Sequence, residues 1–244
     1  MINKNRNTGL SIAIQTTMQC SETEVANSKN KTAAEFKIKI ANSLEDRELV
    51  FQLAYQIYLE KGFIKINYNK WLVQNYDANN ETVILMVQDQ NNNLAGSLTL
   101  VFSEDTKLPA EKIYYEEISK LKLNNEKLVE ISRLVISHEY RNSKEVLLLL
   151  INYLMIYSFH VKQYTSLVIQ VNPRHVLFYK TLLNFDKLGG EKSCPSVQNA
   201  PAVLLHLPLS QYQEKINQNT KISRQTKKER SLYPHFLKPD QENL

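Results

Sequence analysis

Cysteine is nearly absent from this sequence: Cys20 and Cys194 are the only two in 244 residues. Neither lies in a Cys-x-x-Cys pair or near a histidine cluster, so the spacing of a metal site is missing and no metal is expected. With no disulfide framework, the simplest expectation is a cytoplasmic protein. Glycine is scarce as well, at five residues. There is no Gly-x-Ser-x-Gly elbow and no phosphate-binding loop, which argues against hydrolases and nucleotide-hydrolysing enzymes. No apolar run reaches the ~20 residues needed to cross a bilayer. The longest, Val146–Phe159, is broken by Asn152 and Ser158 and reads as a buried helix. The polar start, Met1–Asn30, has an apolar patch only at Leu10–Ile14 and lacks the core of a signal peptide, so export is not expected.

What is present fits one sizeable core. The chain is 43% apolar, and 30 Lys/Arg against 25 Asp/Glu leave a net charge of +5. This excess favours acidic partners. No zinc spacing, RNA-binding aromatic motif or helix-turn-helix pattern accompanies it, so nucleic acid is not an expected partner. Composition divides the chain into a polar N-terminal segment (1–34), a core domain (35–209) and a basic C-terminal tail (210–244), with both ends expected to be flexible. Such a tail can also act as a basic arm for an acidic partner or a membrane surface.

Within the core, Phe36–Ile40 alternates apolar and basic residues as a half-buried strand does. Ser43 and Asp46 have capping-box spacing, after which Leu49, Leu53 and Ile57 recur on one helix face. Thr82–Val87 and Leu94–Phe102, separated by the polar Asp89–Asn93, predict an antiparallel hairpin. Tyr115–Leu121 reads as a short helix and Leu128–Ile136 as a strand. Strict alternation puts Glu130, Ser132 and Leu134 of that strand on one face, and Ile131, Arg133 and Val135 on the other. A carboxylate, a hydroxyl and a guanidinium among Leu, Ile and Val are costly to bury unless paired or used, which marks this strand as a site candidate. The buried helix, a strand at Ser166–Val171, a helix opened by Pro173 and a last strand around Val203–Leu207 complete a mixed α/β order.

That order, with Val171-Asn-Pro-Arg-His-Val-Leu-Phe-Tyr-Lys180 and Leu183-Asn-Phe185, resembles the late strand, Asn turn and Tyr-bearing helix of the GNAT acyltransferase superfamily. More narrowly, Glu130-Ile-Ser-Arg-Leu134, Asn172-Pro-Arg-His175, Phe178-Tyr179 and Ala200-Pro-Ala-Val-Leu-Leu205 resemble the N-acyl amino acid synthases, typified by the FeeM-type N-acyltyrosine synthases. Leu53-Ala-Tyr-Gln-Ile-Tyr58 is similar to that group's first helix, so the likeness covers about residues 36–209. It implies a central, mostly antiparallel sheet flanked by helices, and transfer of a fatty acyl group from a thioester to the amine of an amino acid.

Ordinary GNAT enzymes carry a glycine-rich turn that offers backbone N–H groups to the coenzyme A pyrophosphate; here that stretch reads Arg141-Asn-Ser-Lys-Glu-Val146. The missing glycines fit a donor carried as the phosphopantetheine thioester of acyl carrier protein, with acyl-CoA as the alternative and no tightly bound cofactor. Arg141 and Lys144 are then candidates for meeting the acidic carrier.

Acyl transfer to an amine needs a base, an oxyanion site and a proton for the departing thiolate. Glu130 is the candidate base, since an apolar setting raises a carboxylate's pKa; the alternative is an ion pair with Arg133. The resemblance assigns the thioester carbonyl to backbone N–H groups of Arg133, Leu134, Val135 and Ile136, and the sulfur's proton to Tyr179. Arg133 is read as a structural partner or carboxylate binder, and Arg174 as a second carboxylate binder. Asn172 suits a turn or a pantetheine-amide contact; His175 reads as a base or a structural first-turn residue. Leu147–Leu150, Ile151 and Leu154 are read as core rather than as an acyl tunnel. The rivals are an acyl-homoserine-lactone synthase, which shares the Glu-x-Ser-Arg element and would take S-adenosylmethionine as acceptor, a coenzyme A-dependent acetyltransferase, and a catalytically silent acyl-binding or regulatory module.

Overall fold

The computed structural model describes residues 36–221, the last six as helix backbone, together with Leu232. The segment 1–34 and most of the basic tail, including its expected membrane contact, lie outside the described residues.

The order opens with β1 (Lys37–Ile40) and α1 (Leu44–Glu60). Ser43 caps α1, its Oγ accepting the Asp46 N–H at 3.1 Å. The expected hairpin is β2 (Val83–Gln88) and β3 (Leu94–Phe102), paired antiparallel. Its loop is tied by Asp89 Oδ1, which accepts the Asn91 and Asn93 N–H groups. There follow α2 (Tyr115–Leu123), β4 (Leu128–Ile136) and α3 (Lys144–Met155), the last running on through a wider π-helical turn to Val161. The second half contains β5 (Ser166–Val171), α4 (Val176–Leu183), β6 (Asp186–Lys187), β7 (Lys192–Cys194), β8 (Ala200–Pro208) and α5 (Leu209–Lys221). Past residue 209 the chain therefore begins with a helix. Leu232 returns to the core, its N–H donating to the Leu182 carbonyl at 3.0 Å. β6 and β7, two and three residues long, are too short to show a period in the sequence.

The strands form one open sheet in the order β1-β2-β3-β4-β5-β8-β6, with β7 beside β8; β4 and β5 run parallel and every other described pair is antiparallel. Both faces are covered, which is why β2 reads as an unbroken apolar run. Val83, Leu85 and Val87 join the α3 side of the core, while Ile84 and Met86 pack with Val50 and Phe51 of α1. The stretch Lys144–Val161 is long and apolar enough to span a membrane by composition, yet Val146, Leu150, Ile151 and Leu154 are buried against the sheet.

Strict alternation fails in β4. Two steps along β3, from Thr99 to Ser97, face three steps along β4, from Ser132 to Val135, so β4 carries one extra residue. Arg133 absorbs it with φ +48°, a left-handed conformation unfavourable for a side chain with a Cβ. The bulge corrects the expected faces. Leu134 and Ile136 pack with Ile131 on the α3 side, and Val135 turns to the α1 side beside Ala54, Tyr55 and Leu72.

Candidate active site

β4 and β5 are paired only from Leu128↔Ser166 to Ile131↔Ile169. Beyond that point β4 stays with β3 as far as Ile136, and β5 stays with β8 as far as Val171. The two strands part, and a cavity of about 790 Å³ opens in the gap. Its walls include Glu130–Val135 of β4, Ile169–Val171 of β5, Tyr58 of α1, the turn at Pro109–Lys112 and Ala200–Ala202 of β8. The β5-facing edge of β4 past Ile131 has no strand partner among the described residues, so it can offer backbone N–H and C=O groups to a ligand.

The structure brings most of the expected residues to this cavity: Glu130, Arg133, Leu134, Val135, Asn172, Arg174, His175 and Tyr179 all line it. Ile136 and Arg141 do not. Arg141 is exposed and contacts His138, one turn before Ser143 caps α3. Leu150, Ile151 and Leu154 lie in the core, as read from the sequence.

Glu130 is 2% exposed and sits between Val101 of β3 and Val168 of β5, on the face that also buries Leu128 and Leu204. Its Oε2 accepts the Ala110 N–H at 2.7 Å, and its Oε1 accepts from Gln170 Nε2 at 2.8 Å. The turn that supplies Ala110 is itself fixed: Pro109 opens it, and Glu111 Oε1 accepts both the Leu108 N–H at 2.9 Å and Lys122 Nζ at 2.7 Å. Burial pushes the Glu130 carboxyl up to about 7, against the lowering effect of its two N–H partners.

Glu130 makes no ion pair with Arg133. That guanidinium grips Asp77 at two points, Nη1 lying 2.7 Å from Oδ2 and Nη2 also bonded to Oδ1. It further donates to the Leu72 carbonyl and to Thr99 Oγ1, each at 2.9 Å. Phe51 and Tyr76 cover its faces. Arg133 is therefore engaged in structure and clamps the bulge that its own backbone forms. Beside it, the Ser132 and Tyr76 hydroxyls are 2.9 Å apart.

Tyr179 is 7% exposed and packs edge-on to Phe185 at 5.8 Å. Burial raises its phenol well above the usual range, so the proton is held firmly; burial does the same to Tyr58. At the mouth, Asn172 Oδ1 accepts the Arg174 N–H, and Arg174 Nε donates to His175 Nε2 at 3.1 Å. Desolvation, with Arg174 and Lys61 nearby, holds His175 below its ordinary value. Among the described residues no group of His, Cys, Asp and Glu is arranged to hold a metal ion.

Sequence reading did not single out Gln170, Ala110, Asp77 or Tyr76. Gln170 left a signal: it is the polar interruption in the apolar run that follows Ser166 in this strand, where a buried amide needs a partner. Ala110 acts through its backbone, to which side-chain patterns are blind.

Comparison with known proteins identifies the family and the fold. Residues 49–208 match the family model for the N-acyl amino acid synthase FeeM. Among solved structures, FeeM from uncultured soil microbes superposes with a TM-score of 0.66 at 19% identity, covering 76% of this chain and 96% of that one. The acyl-homoserine-lactone synthase LasI gives 0.56 at 15% identity, over 72% and 91%. BjaI, a coenzyme A-dependent acyl-homoserine-lactone synthase, gives 0.54 at 15% identity, over 72% and 83%. No curated protein matches the chain significantly by sequence. The fold is that of the GNAT-like acyltransferases, and with the FeeM model matching well over half its length, this chain belongs to the N-acyl amino acid synthase family and is an acyltransferase.

Proposed function

We propose that this protein moves a fatty acyl group from the phosphopantetheine thioester of an acyl carrier protein to the amine of an amino acid, in the cytoplasm. The observation that carries the reading is the Glu130 carboxylate, buried in a cavity wall, held by two N–H donors and raised to about 7. A carboxylate poised near neutrality can take a proton from an ammonium or amine at working pH.

In the reaction the amine nitrogen attacks the thioester carbon. The C–N bond forms, charge collects on the carbonyl oxygen, and backbone N–H groups of the Arg133–Val135 edge receive it. Glu130 takes the nitrogen's proton, directly or through water. When the tetrahedral centre collapses the C–S bond breaks, and Tyr179 donates its phenolic hydrogen bond and proton to the departing sulfur. Both residues then exchange protons with solvent, leaving an amide and a thiol. Arg174 at the mouth suits the acceptor's carboxylate, and Asn172 suits a pantetheine amide.

A carrier-bound donor is favoured over coenzyme A because Arg141–Val146 lacks the glycines a pyrophosphate needs for close approach, while Arg141 and Lys144 offer positive charge to an acidic carrier. The test is mass spectrometry of lipid extracts from a bacterial host expressing the wild type, Glu130→Gln or Tyr179→Phe. New N-acyl amino acids from the wild type alone are expected. Acyl-homoserine lactones instead would reassign the acceptor, and no product from accumulated folded protein would favour a silent acyl-binding module.

A further inference from the structure

Gln170 is adjacent to the base for a reason rooted in register. Glu130 pairs with Val168 across the parallel β4–β5 ladder, and Gln170, two residues further along β5, is the diagonal neighbour on the same face. Its amide is held by one bond only: Nε2 donates to Glu130 Oε1 at 2.8 Å, while its own Oε1 is buried with no hydrogen-bond partner. A buried carbonyl left unpaired is destabilising, so an amide kept there calls for a use.

The two donors that hold Glu130 differ in kind. The Ala110 N–H belongs to a backbone pinned by Glu111 and can only donate. Gln170 carries a donor and an acceptor on one group that rotates about its terminal bond. When Glu130 takes a proton on Oε1, that oxygen becomes a donor facing an amide N–H. Turning the amide over brings the orphaned carbonyl to meet it.

On this basis, and resting on Glu130 as the base of the proposed reaction, we infer that Gln170 is a positioning residue: its amide orients the carboxylate by donation and, by turning over, accepts from the carboxylic acid after proton transfer. Although it stands in the cavity wall, the role assigned to it here is exerted through Glu130.

Two readouts test it in the full chain. One is the carboxyl carbon resonance of Glu130 followed by NMR against pH, which requires no turnover. The other is the pH profile of kcat for acyl transfer. Gln170→Leu keeps the bulk and removes both donor and acceptor; the bond to the charged carboxylate is the stronger of the two, so the Glu130 midpoint and the acid limb of kcat are expected to move together to higher pH by about one unit, roughly a tenfold loss of kcat below the limb with recovery above it. Gln170→Glu keeps the shape, places a second carboxyl against the first, and should move both at least as far. It also covers the case in which the leucine variant fails to fold. A midpoint and limb that stay in place in these variants, with kcat lowered evenly at every pH, would overturn the inference. Should the wild type make no N-acyl product, the proposed function fails; the NMR midpoint still decides whether Gln170 governs Glu130.

Discussion

The guanidinium of Arg133 and the carboxylate of Asp77, 56 residues apart in sequence, form a two-point ion pair whose side chains are 2% and 3% exposed. The pair spans from the strand bulge to the segment before β2, and the bulge sits at the lip of the cavity. Its first role is to hold an unfavourable backbone conformation, since Arg133 at φ +48° persists only where its surroundings over-determine it.

Breaking that pair from one side is expected to be severe. Asp77→Asn or Arg133→Met leaves a buried charge without its partner and should cost about 3–5 kcal/mol in urea denaturation. Arg133→Lys should fare little better, because a single ammonium cannot reach Asp77 twice along with the Leu72 carbonyl and Thr99. The double variant Asp77→Leu/Arg133→Met should be less destabilised than the two single changes summed. Single losses below about 1 kcal/mol would show that the pair does not secure the bulge.

Glu130→Gln should lower turnover by roughly 10²–10⁴-fold while leaving the protein folded, the range for loss of a general base. In the wild type, kcat should fall as pH drops through about 7, where Glu130 takes up a proton.

The same residue makes a stability prediction of opposite sense. Its folded pKa lies above the ordinary 4.5, so the folded state binds the proton more tightly than the unfolded state does. Folding is favoured most below pH 4.5, and that contribution is lost as pH rises towards 7. Glu130→Gln carries no charge, so it should gain on the wild type by up to about 3 kcal/mol between pH 4.5 and pH 8. Denaturation midpoints of both proteins across that window check this; a constant difference would show that the carboxyl is not strained by burial.

Tyr179→Phe should reduce kcat by roughly 10²-fold or more if the phenol supplies the sulfur's proton, with the KM for the amine little changed. Since burial holds this phenol above its usual range, no basic limb below pH 10 should arise from it. Full turnover in a folded Tyr179→Phe protein would remove it from the mechanism.

Gly189→Ala tests the wall behind the cavity. A Cβ there would lie 2.6 Å from Tyr114 Cδ1 and 3.1 Å from Leu204 Cβ. Tyr114 cannot yield easily, because its one hydroxyl hydrogen is shared between the Ala202 and Gly190 carbonyl oxygens, 2.6 and 2.9 Å away. A loss of about 1–3 kcal/mol in thermal unfolding is expected, the usual cost of overpacking.

Much of the fold was legible in the chain because its signals are local. The two-residue period of Lys37–Ile40, the Ser43 cap, the polar loop between β2 and β3, and Pro173 ahead of α4 each act within one turn or one hairpin. The strand Leu128–Ile136 was read with its true ends, and Glu130 within it as a polar residue that burial would perturb.

The faces of that strand were not legible past Ser132. Alternation assumes a regular pleat, and the bulge at Arg133 is held by Asp77, Thr99 and Leu72, partners brought from distant parts of the chain. The partner of Glu130 was hidden for the same reason. Pattern alone allowed Arg133, three residues away, whereas the folded chain supplies Ala110 and Gln170 from other elements. Nor did polarity along the tail reveal Leu232, which returns to cover the carbonyl at Leu182. By itself, then, the sequence determined the longer elements of the core, their order and the residue types at the site, since these follow from short-range propensity and burial period. Only the tertiary structure decided where β4 and β5 part, which way Arg133 turns and what holds Glu130, because register, bulges and buried polar pairing are set by contacts between segments far apart in the chain.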